Sequence, residues 1–212
     1  MNRFFTIKNQ IETEIVIKKS KFITNFIKVN TKEEAEEEIK KIKKKYFDAR
    51  HNCISYRVLE DEKIVERFSD DGEPSGTAGA PMLNILQKNN LVNVLVVVTR
   101  YFGGILLGTG GLVRAYSDSL LKAIEESEIL ELIIGIECEV KLEYNQFEKF
   151  KYYCRSNDIN IKDTSYAEEI VCKIEMEEDK KERLLKDYEL KNINLLNIKE
   201  LSKKYIEKSI QK

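Results

Sequence analysis

Val94–Tyr116 reads VLVVVTRYFGGILLGTGGLVRAY. The unbroken apolar run from Val94 to Val98 suits a strand buried on both faces. From Leu112 the apolar residues Leu112, Ala115, Tyr116, Leu120, Ala123 and Ile124 share one helical face, which predicts a helix to about Glu126. Between them lies a glycine loop. Exposed amides where such a loop feeds a helix bind anions, and the same glycines also permit tight helix–sheet packing. No Gly-Lys-Ser/Thr follows, so this is not a nucleotide P-loop. Gly108-x-Gly110 lacks the third glycine of the dinucleotide fingerprint, because Val113 stands there. Arg114 is expected in the first helical turn, where the dipole disfavours a cation unless an anion or carboxylate offsets it.

Composition sets this region apart. Eight of the nine glycines and both prolines lie between Gly72 and Gly111. Five of the eight arginines lie between Arg50 and Arg114, with only two lysines. Arginine binds carboxylate or phosphate through a planar fork that lysine lacks. Two further motifs fall in the same stretch. In Asp48-Ala49-Arg50-His51-Asn52-Cys53, strand parity puts His51, Cys53, Ser55 and Arg57 on one face. That is either a partly exposed sheet face with a hydrogen-bonded histidine or a His–Cys dyad, and no third residue that would orient a dyad is identifiable. In Phe68–Gly79, Asp70, Asp71 and Glu73 crowd together and must be neutralised. They brace arginines, cap a helix or hold Mg²⁺, the last being disfavoured because magnesium rarely has an all-protein cage.

The flanks read as scaffold. Glu12–Lys18 and Lys21–Val29 alternate as strands, and Thr31-x-x-Glu34 opens a helix to about Tyr46. Strands are expected at Asn52–Leu59 and Lys63–Phe68 around a Glu60-Asp61-Glu62 turn, and a helix from Pro81 to Asn89. After Ser127 the order is strand (Ile133–Tyr144), helix (Asn145–Asn157), strand (Ile159–Tyr166), strand (Glu169–Glu175), helix (Asp179–Leu190) and strand (Leu195–Leu201), a ferredoxin-like βαββαβ unit. The expected fold class is α+β, with domains at 1–126 and 133–212 and a tail from Ser202 that frays. Cys138, Cys154 and Cys172 fall at core positions, and one histidine leaves little for a zinc site. The net charge of −1 excludes a protein basic throughout, so any basic surface is local. No apolar run reaches the roughly 20 residues of a membrane helix, and the N-terminus lacks a signal-peptide core. A cytoplasmic protein is expected.

The three motifs, with Lys19-Ser20-Lys21-Phe22-Ile23, together resemble the IMPACT family, in its bacterial YigZ-like branch. The resemblance covers most of residues 1–126. It implies an N-terminal fold like the second domain of a small-subunit ribosomal protein, with an unusual left-handed crossover, and a C-terminal domain similar to the last domain of elongation factor G. Eukaryotic members are associated with translation control through a stress-kinase pathway, but carry a different extra domain. Peptidase chemistry has no support in the residues.

These readings converge on a translation-associated binding protein that contacts ribosomal RNA or other nucleic acid, a ribosome or a translation factor. The anion-binding candidates are Arg50, His51, Arg100, Gly103, Gly104, Gly108, Gly110, Gly111 and Arg114. Asp70, Asp71 and Glu73 are bracing residues or Mg²⁺ ligands. No cofactor and no catalytic residue is assigned. The alternatives are an enzyme acting on a phosphorylated small molecule with Mg²⁺, and a purely protein-binding regulator.

Overall fold

The computed structural model describes residues 3–60 and 63–210, so Asp61 and Glu62 of the expected hairpin turn lie outside the described residues. In chain order the elements are β1 (Phe4–Ile7), β2 (Ile11–Ile17), β3 (Ser20–Lys28), α1 (Lys32–Lys45), β4 (His51–Glu60), β5 (Lys63–Ser69), α2 (Gly79–Lys88), β6 (Val94–Tyr101) and α3 (Thr109–Glu126). There follow β7 (Ile129–Leu142), α4 (Phe147–Ser156), β8 (Asn160–Tyr166), β9 (Ile170–Glu177), α5 (Glu178–Glu189) and β10 (Asn197–Ser209). Two compact units form, Met1–Glu131 with Ser209–Lys212, and Leu132–Lys208. The division falls inside β7 rather than in a loop.

The first unit is built on an antiparallel sheet of order β2-β3-β6-β4-β5. Central β6 explains its own apolar run. Val94, Val96 and Val98 pack with residues of α2 and α3, while Leu95 and Val97 pack with residues of α1 on the opposite face. α1 starts where the Thr31 hydroxyl accepts from the Glu34 amide at 3.1 Å. Its first turn carries Glu33 and Glu34 and its last turn Lys43, Lys44 and Lys45, matching the macrodipole.

The topology requires crossovers of both hands. β3 and β4 are parallel, with β6 between them, and α1 joins them across one face. β5 and β6 are parallel, with β4 between them, and α2 joins them across the other face. Between the two crossovers strand direction and lateral displacement both reverse, and those reversals cancel. The change of face does not cancel, so one crossover is left-handed against the general preference.

Sequence periodicity misses β1. Four residues are too few to show alternation, and the strand exists through distant partners. Phe5 N donates to Asn90 O at 3.0 Å, Val92 N to Phe5 O at 2.9 Å, and Lys8 N to Glu128 O at 2.9 Å.

In the second unit the sheet order is β10-β7-β9-β8, the ferredoxin-like arrangement. Its core combines Ile136, Cys138, Val140, Phe150, Cys154, Cys172, Ile174 and Leu184. The segment after Ser202, expected to fray, is instead the second half of β10. Lys204 lies 2.8 Å from both Glu137 and Glu175, and Lys208 lies 2.9 Å from Glu177. Among the described residues no helix is long and apolar enough to cross a membrane.

Candidate anion-binding site

Antiparallel pairing brings the flagged motifs to one end of the first sheet. Lys21 pairs with Tyr101, His51 with Arg100, and Ile54 with Ser69. The Lys18–Lys19 turn, the start of β4, the acidic loop after β5 and the glycine loop after β6 therefore meet there.

The three carboxylates point to different partners. Asp70 Oδ1 accepts from the amides of Ala78 (2.9 Å) and Gly79 (2.8 Å), and its Oδ2 from that of Gly76 (2.8 Å). It caps α2, whose own N-cap residue, Ala78, offers no side-chain cap. At the far end of α2, Arg57 Nη1 donates to Leu86 O (3.2 Å) and Leu91 O (2.9 Å). A short helix thus has an anion at its positive end and a cation at its negative end. Asp71 accepts from the Asn52 amide and from Lys43, each at 2.7 Å. Glu73 Oε1 accepts from Arg100 Nη1 at 2.7 Å and from the Tyr116 hydroxyl at 2.9 Å. Of the three, only Glu73 holds an arginine among the described residues. Among the described residues no three His, Cys, Asp or Glu side chains form a metal-ligand group.

The polar face of β4 is buried under the helices, not open. Cys53 is fully buried and its Sγ lies 3.0 Å from Asp70 O and 3.3 Å from the Tyr116 hydroxyl. Burial pushes its thiol up to about 12, and the nearby carboxylates push the same way. His51 is half-buried, and its Nδ1 donates to Asp71 O at 2.9 Å. Neither residue is arranged as nucleophile and base.

Of the expected anion-binding residues, Arg100 is engaged elsewhere. Its side chain is 7% exposed, it pairs with Glu73, and its guanidinium lies 5.5 Å from the Phe22 ring centroid and 5.6 Å from that of Phe102. Its buried Nε meets no acceptor among the described residues.

α3 begins at Thr109, three residues before the expected start, because Gly110 and Gly111 enter the helix. Arg114 therefore occupies the second turn, about 7.5 Å along the axis from Thr109, and the dipole argument made for it from the sequence does not apply. The start of α3 has no side-chain cap and no acidic residue in its first turn.

The glycines divide by role. Gly103 packs so tightly on the Lys19–Ser20 backbone that a side chain there is excluded. Gly104 and Gly108 adopt positive φ, and a Cβ on Gly110 would meet open space. Arg50 and Arg114 are exposed and form no ion pair among the described residues. Lys18 and Lys19 share that state in a turn with φ of 44° and 64°. The sequence reading did not place them in the site, although Lys19 opens the Lys19–Ile23 stretch of the family resemblance, because lysine is common throughout.

Residues 18–124 match the model of the Impact N-terminal domain, and residues 140–187 match a domain of unknown function, DUF1949. The chain belongs to the IMPACT family. It is 40% identical over 178 residues to IMPACT family member YvyE of Bacillus subtilis, covering 84% of this chain and 82% of that one. It is 33% identical over 188 residues to IMPACT family member YigZ of Escherichia coli, covering 87% and 92%. A crystal structure described as that of a hypothetical protein is similar over 95% of this chain and 98% of its own, with a TM-score of 0.62 and 29% identity. The IMPACT segment runs from Lys18 into α3, so it encloses every residue of the site.

Proposed function

We propose that this IMPACT family member is a cytoplasmic, translation-associated binding protein that holds RNA phosphate at the glycine-loop end of its first sheet. One observation carries the reading. At that end Lys18, Lys19, Arg50 and Arg114 are exposed without ion-pair partners among the described residues. Four carboxylates of the adjoining loops are engaged: Asp70 with amides, Asp71 with Lys43, Glu73 with Arg100, and Asp48 as acceptor from the Tyr101 hydroxyl at 2.8 Å. A chain with a net charge of −1 therefore has a locally positive surface. The uncapped start of α3 adds amides suited to an anion. The reading invokes no cofactor.

The test is co-sedimentation of the full chain with ribosomes, and binding to ribosomal RNA, across a salt series. Affinity should fall linearly on logarithmic axes. A quadruple reversal, K18E/K19E/R50E/R114E, should melt as the parent does and lose binding. A well-folded reversal variant that binds with unchanged salt slope removes this surface. Salt-independent capture of a translation factor supports the protein-binding regulator instead.

A further inference from the structure

We propose that Phe102 is a stacking platform for an unpaired base, so that the nucleic acid taken at this end is single-stranded. The proposal rests on the RNA-binding reading above and deepens it.

Phe102 ends the strand-derived part of the glycine loop, and its residue is 55% exposed. A lone exposed phenylalanine means little by itself. What distinguishes this one is its support. The Arg100 guanidinium lies 5.6 Å from its ring centroid, and 5.5 Å from the centroid of the fully buried Phe22. Phe22 in turn packs edge-on against Tyr116, with centroids 5.3 Å apart. Glu73 ties Arg100 and Tyr116 together at 2.7 and 2.9 Å. A column of planar groups therefore runs from the core to the surface, and Phe102 is its outer member.

The backbone is held as well. Gly103 is wedged against Lys19 and Ser20, and its amide donates to the Ser20 hydroxyl at 3.2 Å. The main chain next to the ring is thus held before any ligand arrives, which lowers the ordering cost of binding. Ile105 and Leu106, farther along the loop, are exposed as well.

The surroundings choose the occupant. Gly103 abuts the backbone of Lys19, which is exposed and forms no ion pair among the described residues, and Arg50 precedes the residue paired with Arg100. Single-strand binding sites combine a positive groove for the backbone with aromatic rings that stack on bases, and that stacking tolerates any base. A duplex keeps its bases stacked on one another and offers no free face to Phe102.

The test measures fluorescence anisotropy of the full chain with a labelled oligouridylate and with an RNA duplex of equal length, each at two salt concentrations. Phe102→Ala should bind the single strand about tenfold more weakly. It should leave duplex affinity and the salt slope unchanged. Phe102→Trp should restore binding, and Phe102→Leu should not, although leucine keeps the apolar bulk. All variants are checked by thermal melt. Single-strand affinity unchanged in Phe102→Ala, with affinity lost in R50E/R114E, overturns the platform and leaves the RNA-binding reading intact. Failure of the parent chain to bind either RNA overturns both. If Phe102→Ala loses only a protein partner, the platform is a protein contact and the proposal fails.

Discussion

Arg100 and Glu73 form an ion pair at 2.7 Å with side chains 7% and 3% exposed. The pair anchors the loop after β5 to the end of β6, and the Tyr116 hydroxyl joins it from α3. Removing one partner strands a buried charge. Glu73→Gln or Arg100→Gln alone should each cost about 3–5 kcal/mol. The double variant should lose less than the sum, since neither charge is then left uncompensated. Chemical denaturation of the four proteins checks this. Additive losses would show that the pair is not coupled.

Asp70 gathers three amides at the start of α2. Asp70→Ala should destabilise the first unit by about 2 kcal/mol, at the upper end for a lost cap. Asp70→Asn keeps an acceptor oxygen and should lose less. Equal losses in the two variants would show that the cap owes nothing to hydrogen bonding.

All four cysteines are free and buried. Burial raises the Cys53 thiol to about 12 and the Cys154 thiol to about 12, so both stay protonated at neutral pH. A thiol reagent should label none of the four rapidly in the native chain and all four after denaturation. Fast native labelling of Cys53 would mean an activated thiolate.

Lys204 holds the Glu137 carboxyl below its ordinary value of 4.5, chiefly by a hydrogen bond at 2.8 Å. A carboxylate depressed in the folded state stabilises above its unfolded value, and that contribution is lost as pH falls through the folded value. The second unit should therefore lose melting temperature below about pH 4.5. Glu137→Gln should flatten that fall. An unchanged acid limb would place the titration elsewhere.

β1 is secured by residues beyond α3: Lys8 N bonds Glu128 O at 2.9 Å, and Arg3 pairs with Glu131 at 2.6 Å. A fragment 1–131 should melt at least about 3 °C above a fragment 1–126, equivalent to roughly 1 kcal/mol in a domain of this size. Equal melting temperatures would mean that β1 adds nothing to the unit.

Local information in the chain determined much. The run Val94–Val98 was read as a strand covered on both sides, and Thr31 with Glu34 marked a helix start within one residue. The strand–helix order after β7 identified the ferredoxin-like unit. These features were legible because a strand or helix repeats within a few residues. The glycine loop was legible too, but the entry of Gly110 and Gly111 into α3 was not, since glycine disfavours a helix.

Tertiary structure alone decided which charges are open and which are closed. Nothing local separates Arg100, paired with Glu73, from Arg114, which is exposed without a partner among the described residues. Nor does it join Ser20 to Gly103, or carry β10 past Ser202 to meet Glu137 and Glu175. Those partners lie 27 to 83 residues apart. Their meeting depends on strand order and register, and a one-dimensional pattern holds neither.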